Sequence, residues 1–221
     1  EATTQRPTIW ATAQYLSYAR PPSVMDLDVL VPVSGKHTSQ ARVIAHVADA
    51  EILTVNAALG SRPGDVSEQW AVAPNVPAPE DCPVREHSWA RDGEDIHMLF
   101  DERAIKGRFG KQREGGASDD GHCLLWVRPR DPATPIDRVT LAVIADFLPS
   151  GIGSALGRMA GGNSLDNTLR IRGLVETDWV LCDIRIHAAH AGFVHGRMHL
   201  FARDGTLMAT ASQSMILRIH D

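Results

Sequence analysis

Cysteine is scarce: three in 221 residues, at Cys82, Cys123 and Cys182, odd in number and never in a CxxC pair. That excludes a disulfide framework and fits a reducing compartment, so a cytoplasmic location is expected. A basic excess is missing as well. The net charge of −5 argues against nucleic acid or an anionic membrane surface as the main partner. No basic-then-apolar leader opens the chain, and no apolar run approaches the roughly 18 residues of a membrane-spanning helix. A GxSxG elbow, which would place a nucleophilic serine, does not occur. A starting methionine is also absent. "EATTQRP" reads as the tail of a helix entering a loop, so the sequence is expected to begin inside a longer protein.

What the sequence does have is strands. Residues 8–20, 26–33, 38–47 and 51–58 carry β-branched, aromatic and alternating residues between turn signals, and read as antiparallel strands. Residues 61–95 differ. Pro63, Pro74, Pro77, Pro79 and Pro83 recur among acids and glycines, the composition of a linker that crosses the surface without joining a sheet. Strands are expected again at 98–110 and 122–130, around a Gly/Asp-rich loop at 114–121. Asp137 then caps a helix whose apolar residues, Val139, Leu141, Ala142, Ala145 and Leu148, recur at helical spacing. Pro149 and the Gly-rich stretch 150–162 are expected to end it. "GIGSALG" (151–157) follows a helix rather than a strand, which counts against a dinucleotide loop. Further strands are expected at 164–172, 179–187, 193–202 and 206–219.

The strand rhythm repeats. Laying Ala11–Val29 over Asn163–Leu181 puts Thr12 on Ser164 and Val29 on Leu181. After a short indel, Arg42 falls on Arg197, Asp49 on Asp204 and Ala58 on Gln213. The physical reading is a duplicated unit in which a long helix is wrapped by a meander of long antiparallel strands. The first unit lacks its N-terminal strand and helix in the sequence shown.

At these residues the chain resembles the TesB-like acyl-CoA thioesterases (the acyl-CoA thioesterase II family). The resemblance rests on "LAVIADFLP", "NSLDNTLRI" and "DWVLCDIRIHAAHAGFVHGRMHLFARDGTLMATASQSMILR", and on "TIWATAQYLSYARPP" through "TVNAALG". It departs at Asn167, where related sequences carry His. It implies a double-hotdog α+β fold: a partial first hotdog over 1–60, the Pro-rich linker over 61–95, and a second hotdog over 96–221. It also implies hydrolysis of acyl-CoA to free acid and CoA. The water-holding groups of that family fall on Asp146, Ser164 and Gln213. A homo-oligomer, dimer or larger, is expected by the same analogy.

The chemistry suits these groups. Asp146 can accept a proton from water, while a hydroxyl and an amide fix the water's other positions. Gln213 can both donate and accept without titrating. Backbone N–H groups at a helix N-terminus could polarise the carbonyl. Four histidines, His187, His190, His195 and His199, crowd one region. A zinc site needs three or four converging ligands, and Arg197 on the same strand face opposes one. The histidines therefore read as exposed strand residues, and neither metal nor cofactor is expected. Two rival readings are a non-catalytic acyl-CoA binder and a hotdog enoyl-thioester hydratase. The latter wants a His-Asp or His-Glu pair near the helix, and no histidine lies within 137–149.

Overall fold

A computed structural model describes residues 1–85, 96–108 and 116–220. The strands, in chain order, are β1 (Thr8–Tyr15), β2 (Asp26–Ser34), β3 (Thr38–Val47), β4 (Ala50–Gly60), β5 (Phe100–Lys106), β6 (His122–Pro129), β7 (Ala160–Ser164), β8 (Asp166–Ile171), β9 (Val180–His190), β10 (Phe193–Ala202) and β11 (Leu207–Ile219). They form one sheet in the order β2-β3-β4-β1-β8-β11-β10-β9-β6-β5, with β7 paired to β11 beside this path. Every pairing among these strands is antiparallel.

Several expected boundaries move. The first strand stops at Tyr15, well before Pro21. The strand expected over 98–110 is β5 alone, entered through a 3-10 turn at Ile96–Leu99; residues 109–110 and 114–115 lie outside the described residues. The strand expected over 164–172 divides at Leu165 into the end of β7 and the start of β8.

The helix departs most. Asp137 does cap it, its carboxylate accepting from the Thr140 N–H at 2.8 Å. However, α1 (Arg138–Ala145) ends at Asp146, and "SGIGSAL" is not a loop but a second helix, α2 (Ser150–Leu156). Its glycines serve packing. A Cβ on Gly151 would sit 3.0 Å from Ile184 Cγ2, so glycine lets α2 lie close on the sheet. Together α1 and α2 also correct the reading of apolar runs. Arg138–Leu156 is long and apolar enough to span a membrane, yet more than half of it is buried inside the protein. The stretch is apolar because the sheet wraps it: Leu141, Ile144, Leu148 and Ile152 are fully buried against Ile184, Met198, Leu200 and Met215.

The opposite face of the sheet has a smaller core of Leu124, Trp126, Trp179, Leu181, Phe201 and Cys82. The proline-rich segment covers it with Ala71, Ala73 and Val76. Trp126 Nε1 donates to Pro77 O at 3.0 Å, and Gln69 Oε1 accepts from the Leu207 N–H at 2.7 Å. The segment also pairs with the sheet through its backbone, where Val84 forms a bridge with Arg103. Residues 86–95 of the expected linker lie outside the described residues.

Strand pairing makes the internal repeat explicit and corrects its register. Thr12 lies opposite Thr168 across the β1–β8 joint, their hydroxyls 3.0 Å apart. Thr12 therefore shares a sheet face with Thr168, whereas Ser164, opposite Met215, lies on the other face. Asn56 opposes Thr12 and Ser212 opposes Thr168, so the next residue in each strand pairs Ala57, not Ala58, with Gln213. One residue matters here because neighbouring strand residues face opposite sides. Arg42 and Arg197 do correspond, since Ala41 opposes Ala57 as Gly196 opposes Gln213.

Candidate active site

The site forms where one strand changes neighbours. Along one edge, β11 pairs with β8 over Ala209–Ser212 and with β7 over Met215–Ile219. Between them, Leu165 N–H donates to Ser214 O at 2.8 Å and Ser214 N–H donates to Asp166 Oδ1 at 2.7 Å. Gln213 falls at this change. Breaks of this kind re-aim side chains beside functional sites. Ser164 and Asn167 stand on either side of it. On the other edge Gln213 faces Gly196. A Cβ there would come within 2.8 Å of Leu148 Cδ2 and 3.0 Å of Arg185 O, so glycine lets the helical segment close over the strand.

Asp146 meets Gln213 from above. It caps α1 at its C-terminal end, in the turn that leads to α2. Gln213 is only 3% exposed, and its Nε2 donates to Asp146 Oδ1 at 2.6 Å. Ser164 and Asn167 lie close enough to the carboxylate to act on its charge. The structure thus brings Asp146, Ser164 and Gln213 together. Burial pushes the Asp146 carboxyl above the usual range; the Gln213 bond, the charge of His97 and the proximity of Ser164 and Asn167 oppose that rise. Two acceptors at this point, Gln213 Oε1 and Asn167 Oδ1, are buried and have no hydrogen-bond partner among the described residues. Such atoms are costly unless something donates to them.

Three neighbours have no counterpart in the expected set. Asn167 entered only as a departure from related sequences; here it lies beside both Asp146 and Tyr15. Tyr15, one of two tyrosines, has its hydroxyl pushed up to about 12, first by burial and then by the Asp146 charge. It stays a neutral O–H donor at any ordinary pH. His97 packs its ring edge-on to Phe147, centroids 4.6 Å apart, and its Nδ1 lies 2.9 Å from Glu102 Oε1. Glu102 and Arg85, both nearly fully buried, are paired. No sequence signal joins these residues. His97 sits in a 3-10 turn with no period to share with β5, and Arg85 lies on the far side of residues 86–95. No histidine lies within 137–149, yet a His-Glu pair, His97 and Glu102, lies beside the helical segment.

Two cavities meet here. One of about 440 Å³ is lined by Tyr15, Ile96, His97, Val139, Ala142, Val143, Asp146 and Phe147. The other, about 230 Å³, is lined by Arg85, His97, Asp146, Ser150, Gly161, Asn163, Arg218 and His220, with neighbouring backbone. The first is mainly apolar and the second carries cationic side chains. The helix-terminal N–H groups expected to polarise a carbonyl are engaged instead: Ser150, Gly151 and Ile152 donate to Phe147, Leu148 and Pro149 carbonyls at 3.0–3.1 Å. Of the clustered histidines, His187, His190 and His195 are exposed. His195 bonds Ser214 and His199 packs on Phe201.

Comparison with known proteins bears on this arrangement. The family model for the acyl-CoA thioesterase C-terminal domain matches residues 77–217. The chain belongs to that family, the TesB-like acyl-CoA thioesterases. A protein from Novosphingobium aromaticivorans, assigned to the thioesterases, is 35% identical with a TM-score of 0.86, over 98% of this chain and 82% of its own. A hot dog protein from Alicyclobacillus acidocaldarius superposes with a TM-score of 0.81 at 20% identity, over 98% and 80%. An acyl-CoA thioesterase II from Mycobacterium marinum gives 0.76 at 22% identity, over 98% and 82%. Comparison with curated proteins gives no match. The fold is accordingly an α+β hotdog, and family membership identifies the activity as acyl-thioester hydrolysis.

Proposed function

We propose that the protein hydrolyses acyl-CoA to free acid and CoA, with Asp146, Ser164 and Gln213 holding the water. The supporting observation is the Gln213 amide: Nε2 is committed to Asp146 while Oε1 is buried and open to a donor. A water that donates one hydrogen to Oε1 and the other to the Asp146 carboxylate has its lone pair aimed at a single point. Its oxygen bonds the thioester carbon as its proton passes to Asp146. The C–S pair then leaves with sulfur. Such positioning supplies several kcal/mol without a strong nucleophile. The acyl chain lies in the apolar cavity along Val139, Ala142 and Val143. The CoA arm lies in the cavity bearing Arg218, whose guanidinium suits its phosphates. The test is thiol release from short, medium and long acyl-CoAs. Asp146→Asn should lose about 10²–10⁴-fold; unchanged release would remove this mechanism.

The same reading takes the two sets of strands as two hotdog units, residues 1–60 and 96–221, joined by 61–95. In the first unit Ala11, Ala13, Val43, Val55 and Ala57 share the face that carries Gln213 in the second, the face a helix packs on. Assembly into a homo-oligomer and a reducing, cytoplasmic setting complete the proposal. A second reading, hydration of an enoyl-thioester, is favoured by the His97–Glu102 pair alone. Loss of the conjugated double bond with no thiol released would select it.

A further inference from the structure

Asp146 and His97 are the two residues that line both cavities. This has a consequence if the acyl chain lies in one cavity and the thiol arm in the other, the reading on which this inference rests. The scissile C–S bond must then cross between them, beside these two side chains. From this geometry we infer that His97 is a second catalytic residue, the acid that protonates the departing sulfur.

The surroundings of His97 are built for such a task. Glu102 Oε1 lies 2.9 Å from Nδ1 and fixes the ring from behind. Glu102 is 4% exposed and is itself held by Arg85, 5% exposed. A carboxylate behind an imidazole fixes the ring's orientation. The Phe147 ring, directly after Asp146, packs against the imidazole and sets its angle. With Nδ1 held by Glu102, the His97 ring still lines both cavities. The need is real. An alkyl thiol has a pKa of about 8.5, and a thiolate expelled into a partly dry cavity is disfavoured further.

The step balances. The water oxygen bonds the carbonyl carbon, and the water proton goes to the Asp146 carboxylate. The C–S electron pair stays on sulfur, which takes a proton from the His97 imidazolium. Asp146 ends protonated and His97 neutral, and the proton on Asp146 returns to His97 through solvent. No oxidant or reductant enters.

The experiment compares leaving groups. Kinetics are measured on the full chain and on His97→Gln and His97→Asn, with an acyl-CoA and with the same acyl group on a nitro-substituted aryl thiol. The aryl thiolate departs without a proton. The expected result is a loss of about 10²-fold in kcat/KM on acyl-CoA, within the general acid range, and less than a few-fold on the aryl thioester. Retained aryl thioester activity also proves that the variants fold. Equal losses on both substrates in both variants, or no loss on acyl-CoA, overturn the role of His97. Wild-type hydrolysis of both substrates with no effect of Asp146→Asn overturns the underlying site instead, and this inference with it.

Discussion

At the scale of single residues, Gln213 carries the most. Its amide has two unlike ends: the nitrogen donates to the Asp146 carboxylate, and the oxygen is buried with no donor among the described residues. Gln213→Ala removes both roles and should lower kcat by about 10²-fold, the usual loss for one fixed polar group in such a site. It should also shift the pH profile. Burial raises the Asp146 pKa and the Gln213 bond lowers it, so deleting that bond raises it further. The working form is the carboxylate; the acid limb of kcat should therefore move to higher pH in Gln213→Ala, as rate-against-pH curves would reveal. The linked stability effect has the opposite sense. A carboxyl with a raised folded pKa stabilises the fold while protonated, and that contribution is lost as pH rises through its folded pKa. Thermal unfolding of Asp146→Asn should gain on wild type as pH rises from acid to neutral. Asp146 and Gln213 were legible only through family resemblance. Residue by residue, Asp146 is an acid in an apolar run and Gln213 an amide in an apolar strand, each with ordinary explanations. His97, Glu102 and Arg85 were not legible at all, because a turn, a strand and a loop share no spacing.

At the scale of elements, the strands were legible and the helical segment was misread. Alternation marks a strand whose two faces meet different surroundings, and β10 and β11 show it. The glycines of "GIGSALG" signal a loop by composition. Gly151 serves close packing on the sheet, while Gly157 ends α2 in the left-handed conformation. Gly162 is a parallel case: a Cβ there would sit 2.9 Å from both Ile152 Cδ1 and Met215 Cβ. Gly162→Ala should cost about 1–3 kcal/mol by overpacking, read as a lowered denaturant midpoint. Because Gly162 precedes Ser164 on β7, activity should fall too. The register of the repeat failed for a related reason. Sequence overlay tolerates a shift that swaps sheet faces, whereas hydrogen-bonded strands do not.

At the scale of the molecule, the sheet has a firm middle and one soft margin. β1 and β8 lie inside it, while β2 is an edge strand that is exposed along nearly its whole length. Hydrogen exchange should report this: β2 amides exchange first, and those shared by β1, β8 and β11 last, near the global unfolding free energy. Uniform protection across the sheet would contradict it. The Thr12–Thr168 hydroxyl pair at the joint is a smaller contributor. Thr168→Val should cost about 1 kcal/mol, the net worth of one hydrogen bond, with no change in the denaturant slope.

The change of neighbours along β11 also separates two duties. The stretch Ala209–Ser212 ties β11 to β8, and β8 in turn joins the two sets of strands. The stretch from Met215 onward holds β7 and with it Ser164. Leu165 alone lies between β7 and β8. Substitutions that retune the water-holding groups, or the reach of the cavity beside them, can accumulate on one side of this residue without loosening the seam on the other. A descendant of this chain could therefore explore new substrates while inheriting an intact frame.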